Sequence, residues 1–216
     1  MSELLDFASA VQCRDPQKFV AGCDQLYQIL CERNKVCNLT RITDREDFDR
    51  KHIIDSLAIA LDFPEVANSS LAVADIGCGA GFPSLVLAMA FPSLRITPID
   101  STGKKIAFVS DAAAALALDN ITPVCGRANE LNRKNDFKHR FDLVTARAVA
   151  PSYKIAAETT NFLNRRGRYV FYKTPIQRDE ELPVLAKDKK YQWSVTETRV
   201  FPHGERLFIT GKGKNA

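Results

Sequence analysis

Two carboxylates and three glycines carry the most chemical information in this chain. Asp75 is followed by Gly77, Gly79 and Gly81 at alternate positions, and Asp100 stands 25 residues further on. Glycines in that spacing let backbone approach a ligand closely. An acid at the end of the second strand can accept hydrogen bonds from both hydroxyls of a ribose. The set therefore predicts an adenosine-containing cofactor at the edge of a parallel sheet. Phe82 occupies the position where a dinucleotide fingerprint requires its third glycine, which argues against a nicotinamide cofactor.

The flanking sequence supplies the elements that hold these residues. An apolar run from Leu71 ends at Asp75, and Phe82-Pro83 opens a helical segment 83–91. Strand–helix alternation continues with strand 94–99, helix 103–118, strand 121–125, strand 141–145, helix 152–163 and strand 167–173. Ser101 and Thr102 are N-cap candidates for the 103–118 helix. Two last strands, near 191–201 and 206–211, surround Pro202-His203-Gly204 and predict an antiparallel hairpin with no helix before it. Ahead of this part, 16–37 and 45–62 read as amphipathic helices, and Asn68-Ser69-Ser70 reads as a linker. The expectation is a helical N-terminal region, 1–68, followed by a 69–216 cofactor domain. The fold class is α/β: Rossmann-like, a mostly parallel seven-stranded sheet finished by an antiparallel hairpin.

Composition limits the partners. Net charge is +4, but residues 1–68 balance to −4 and residues 69–216 to +8. The basic excess thus lies on the segment with the cofactor motif, which favours an anionic partner such as a phosphate backbone. No apolar stretch is long enough to span a membrane, and a cytoplasmic protein is expected. The six cysteines lack C-x-x-C spacing, so free thiols and no metal site are expected.

The alternating glycines match the G-x-G-x-G of S-adenosylmethionine (SAM) methyltransferases, and further segments narrow the resemblance. Asn34-Lys35, Asn38-Leu39-Thr40, Lys51-His52-Ile53-Ile54-Asp55-Ser56, Gly103-Lys104-Lys105, Thr145-Ala146-Arg147-Ala148-Val149-Ala150 and Gly204-Glu205-Arg206 follow in order. Together they resemble the RsmG family, also called glucose-inhibited division protein B, over about residues 25–210. That resemblance implies a bacterial methyltransferase that uses SAM to modify N7 of a guanine in 16S ribosomal RNA. Its partner would be that RNA or a small-subunit particle, with no obligate protein partner. Carried over by position, the family's cofactor contacts fall on Gly77, Phe82, Asp100, Ser101, Thr102, Ala128, Asn129 and Arg147. Asp75, Gly79 and Gly81 join them from the reading of the motif itself. Lys51, His52, Arg147 and Lys173 are the RNA-contact candidates. On a helix, Lys51 and Asp55 are also spaced for a surface ion pair.

The chain departs from the family pattern at Ser84 (commonly Gly), at Asn129 (often an acid) and at Thr174-Pro175 after Lys173 (commonly Gly). Guanine N7 has a lone pair and no proton, so attack on a sulfonium methyl needs no general base. No acid or base catalyst is assigned, and Arg147 is the positioning candidate. Alignment of the reactants can supply on the order of 7–11 kcal/mol. Two alternatives use the same residues: a SAM-dependent enzyme with another RNA acceptor, and an RNA-binding protein that keeps the cofactor fold without catalysis.

Overall fold

The computed structural model describes residues 3–214. Its sheet contains β1 (Ala72–Ile76), β2 (Arg95–Asp100), β3 (Val124–Cys125), β4 (Phe141–Arg147), β5 (Leu163–Lys173), β6 (Tyr191–Val195), β7 (Arg199–Phe201) and β8 (Gly204–Gly213). The order is β3-β2-β1-β4-β5-β8-β6, with β7 paired to β8. Strands β1 to β5 pair in parallel, and β8 runs antiparallel to β5, β6 and β7. This is the expected mixed sheet with an antiparallel finish, extended by the short β7. Strand order reverses at β1, between β2 and β4. In such sheets the ligand crevice opens beyond the carboxyl ends at that point.

Alternate residues along the strands feed two apolar layers. Val73, Ile96, Leu143 and Val170 face one side, where they join Phe19, Leu26, Phe48, Ile53 and Leu57 of the N-terminal helices in one continuous core. Ala74, Ile99, Val144 and Phe171 face the other side with Ile155 and Phe162. The helix Pro16–Cys37 begins as its residues dictate: Asp15 accepts from the Lys18 amide and Pro16 takes the first turn. It ends at Asn38, whose φ of 47° is left-handed.

Two stretches depart from the sequence expectation. The single helix expected over 45–62 is broken into Arg45–Phe48, a π turn over Asp49–Ile54, Asp55–Leu57 and Ile59–Asp62. Residues 52–60 are buried without interruption, so this segment is enclosed on every side and does not present one wet face. The wider π turn redirects its side chains. Lys51 consequently pairs with Asp47, not with Asp55. The other departure is a helix over Pro175–Leu185, where no helix was expected between β5 and β6. Its start is written in the sequence: Thr174 and Gln177 form a reciprocal capping box, and Pro175 sits in the first turn. The 152–163 helix is also shorter than expected, Ser152–Glu158, because β5 begins at Leu163.

Candidate active site

The glycine turn after β1 is fastened to β2 by the Gly77 and Cys78 amides, which both donate to the Ile99 carbonyl (2.7 and 3.1 Å). Gly77, Gly79 and Gly81 have φ of 67°, 58° and 85°. A Cβ at Gly77 would lie 2.6 Å from Val149, and one at Gly81 would lie 2.5 Å from Leu85. Those two glycines are required by packing. At Gly79 the nearest atom to such a Cβ is the Gly77 carbonyl oxygen at 4.0 Å, so this glycine faces open space.

Asp100 ties the first and second turns together. Its Oδ2 accepts from the Gly79 amide (3.1 Å) and its Oδ1 from the Thr102 amide (2.8 Å), with the Lys105 ammonium 3.6 Å away. A carboxylate offers about four acceptor sites, so capacity remains for ligand hydroxyls. Thr102 is the N-cap of the Gly103–Ala115 helix but makes no side-chain capping bond. Beyond these turns lies a cavity of about 530 Å³, walled by Asp100, Ser101, Thr102, Ala128, Asn129 and Val149. Asp75 and Gly81 are not on its walls. Asp75 is buried behind the turn, where the Ser84 hydroxyl donates to Oδ2 at 2.6 Å and Oδ1 has no partner. Burial pushes its carboxyl up to about 7, against the Ser84 hydrogen bond.

A second cavity, about 540 Å³, shares Gly77, Lys105 and Ala148 with the first and extends toward the N-terminal helices and the β7–β8 hairpin. Phe82 is nearly buried here, stacked on the His52 ring (centroids 4.1 Å apart, planes at 4°), and the Arg147 guanidinium stands 5.8 Å from its centre. Arg147 is held tightly. Its Nη1 donates to the Lys51 carbonyl (2.7 Å) and to Asp55 Oδ2 (2.8 Å), and Nη2 donates to His52 Nδ1 (3.1 Å). His52 therefore carries its proton on Nε2, which faces Thr40 Oγ1 at 3.1 Å. Burial first, and then the Arg147 charge, push the imidazole down to about 3, so it stays neutral. Asn34 folds the loop that brings Thr40 there, accepting from the Leu39 and Thr40 amides and donating to the Thr40 carbonyl.

Asp55 is the centre of this wall. Its Oδ1 also accepts from Arg206 Nε (2.6 Å) and His203 Nε2 (3.2 Å), both from the β7–β8 hairpin. Burial opposes ionisation of Asp55, yet the His203 hydrogen bond and the two guanidinium charges outweigh it and hold the carboxyl far below the usual range. The remaining expected RNA contacts differ in position. Lys51 is part-exposed at the cavity edge and paired with Asp47. Lys173 is 5 % exposed, and its ammonium is committed to Glu181 (2.7 Å) and the Ala150 carbonyl (3.0 Å). Glu181 in turn accepts from the Ser152 amide. His203, Arg206 and Glu181 were not singled out as site residues from the sequence. Only the Gly204-Glu205-Arg206 signature pointed toward the hairpin.

The two connected cavities fit SAM. Gly79 leaves a cradle that a Cβ would fill, and Asp100 retains acceptor capacity beside it. No group of three His, Cys, Asp or Glu able to hold a metal occurs among the described residues. No helix among them is long and apolar enough to cross a membrane.

Comparison with known proteins agrees with this geometry. Residues 20–208 match the family described as GidB, rRNA small subunit methyltransferase G. The chain is 36% identical over 178 residues to the ribosomal RNA small subunit methyltransferase G of Limosilactobacillus reuteri, covering 82% of this chain and 72% of that one. It is 35% identical over 188 residues to the protein of the same name from Leuconostoc mesenteroides, covering 86% and 79%. Among solved structures, a SAM-dependent methyltransferase from Aquifex aeolicus superposes with a TM-score of 0.59 at 13% identity, covering 78% of this chain and 93% of that one. M. jannaschii TYW2 in complex with AdoMet gives 0.50 at 18% identity, with coverage of 71% and 73%. These structural likenesses are of fold alone. The glycine turn, the Asp100 bridge and the sequence match over most of the chain identify it as a SAM-dependent methyltransferase that belongs to the rRNA small subunit methyltransferase G family.

Proposed function

We propose that this enzyme transfers the methyl group of SAM to N7 of a guanine in 16S ribosomal RNA, free or within a small-subunit particle. In this reading the cavity beside Asp100, Ala128 and Asn129 holds the adenosine, and Gly77 and Gly79 line the methionine half. The larger cavity between Phe82, Arg147 and the hairpin receives the base. SAM supplies an electrophilic methyl on a sulfonium; the protein supplies alignment and exclusion of water.

One observation carries the choice of acceptor atom. Asp55 is the only carboxylate on the wall of the larger cavity, and it is saturated by Arg147, Arg206 and His203. His52 beside it is held neutral with both nitrogens engaged. The wall thus offers no carboxylate to take a proton from an amine or a carbon acid. It suits a nucleophile that has no proton to lose, and guanine N7 is such an atom. Alignment by fixed groups is then the main source of rate. The names of the relatives support the ribosomal acceptor, as does the +8 balance of residues 69–216. Lys51, and the unpaired surface lysines and arginines near the mouth, are the residues to meet RNA phosphates.

The test incubates the purified chain and labelled SAM with small subunits from cells that lack this enzyme, then maps the label. Label in 7-methylguanine at one position of 16S RNA is the expected outcome. Label on an exocyclic amine or on a ribose hydroxyl refutes the acceptor assignment.

A further inference from the structure

We propose that His203 reads the acceptor base: its Nδ1 accepts a hydrogen bond from the N1–H of the guanine and so selects guanine over adenine. The inference rests on the guanine-N7 reading above. His203 Nε2 faces Asp55 Oδ1 at 3.2 Å, and a carboxylate can only accept, so the ring proton is on Nε2. Arg147 and Arg206 already balance that carboxylate, and the ring needs no second proton. Nδ1 is then a bare acceptor. It is buried, and it has no hydrogen-bond partner. The side chain as a whole is 1% exposed and its ring stacks on Phe201 (centroids 5.3 Å apart), so it cannot swing out to find water. A buried acceptor left without a donor is costly, and native proteins rarely keep one without a use.

His203 lies on the wall of the same cavity as the glycine turn. In a purine, the Watson–Crick edge is on the side opposite N7. A guanine that turns N7 toward Gly77 and Gly79 therefore presents N1–H and its amino group toward the opposite wall, where the hairpin stands. Guanine N1 donates, whereas adenine N1 is a lone pair that would face the lone pair of Nδ1. A single acceptor at this place rejects adenine without touching the reacting atom. Reading a base by its Watson–Crick edge is what enzymes do when they take the base out of its stack.

The experiment uses small subunits reconstituted with 16S RNA carrying guanine, or 1-methylguanine, at the position that wild-type enzyme labels. Wild type should lose about tenfold or more in kcat/KM on 1-methylguanine, which has no N1–H to donate. His203→Phe keeps the stacked ring but not the acceptor. It should lose about tenfold on guanine and treat the two substrates alike, with SAM affinity by calorimetry unchanged. His203→Gln retains both an amide donor for Asp55 and a carbonyl acceptor, and should recover part of the discrimination. The proposal is overturned if His203→Phe still discriminates as wild type does. It is also overturned if that variant's loss is matched by weaker SAM binding. Absence of N7 label with wild type refutes the guanine-N7 reading instead, and the two failures are thereby told apart.

Discussion

Replacing Asp55 by Asn tests whether one carboxylate organises the acceptor wall. The substitution keeps the shape and removes the charge. Asp55 is 3% exposed, and the side chains of Arg147 and Arg206 are 14% and 23% exposed, so solvent screens this cluster weakly. Removing the anion leaves two guanidinium groups facing each other across a neutral amide. Breaking a buried ion pair from one side costs about 3–5 kcal/mol. At about 2–4 °C per kcal/mol for a chain of this size, the melting temperature should fall by roughly 6–20 °C at neutral pH. The pH dependence has a definite sign. The folded-state pKa of Asp55 lies below its unfolded value, so its stabilisation is complete above about pH 4 and is lost as pH falls through the folded pKa. The gap between wild type and Asp55→Asn should therefore narrow in acid. Urea unfolding of both proteins at a series of pH values measures this, with SAM affinity followed in parallel. Asp55→Asn within about 1 kcal/mol of wild type at pH 7 would show that the wall does not depend on this charge.

Two further substitutions separate structural from ligand-facing roles. Lys173→Met strands the Glu181 carboxylate in a buried setting and should cost about 3–5 kcal/mol, while Lys173→Met with Glu181→Leu should recover much of it; equal stability of both variants, with weaker RNA binding instead, would make Lys173 an RNA contact. Gly79→Ala places a methyl in open space above the turn, so SAM binding by calorimetry should fall at least about tenfold for a stability cost of only about 1–2 kcal/mol from its positive φ. Unchanged SAM affinity there would remove the cradle from the cofactor site.

The sequence was most informative where chemistry and local geometry coincide. Gly77 and Gly79 with positive φ, and Asp100 at the end of β2, were legible because a strand, a tight turn and a helix lie within a few residues of one another. The parallel order and the antiparallel finish followed from the alternation of elements and from the turn at Pro202-His203-Gly204. The Pro175–Leu185 helix was also written locally, in Thr174-Pro175 and Gln177, although its cap was not read.

Charge pairing could not be read in the same way. Spacing on a regular helix joined Lys51 to Asp55, but the π turn over Asp49–Ile54 changes which side chains meet. The partners of Asp55 are Arg147, His203 and Arg206, which lie 92 to 151 positions along the chain. Lys173 looks from the sequence like a free cation at a strand end; only packing of the later helix brings Glu181 against it. Asp75 looks like a ligand to the cofactor, and the fold turns it inward onto Ser84. The residue types and their local spacing thus determined the elements, the glycine turn and the class of cofactor. Tertiary structure alone decided which charges neutralise one another and which acceptors are left unsatisfied. The reason is that buried electrostatics depends on distance through space and on exclusion of water, and neither is a property of neighbours along a chain.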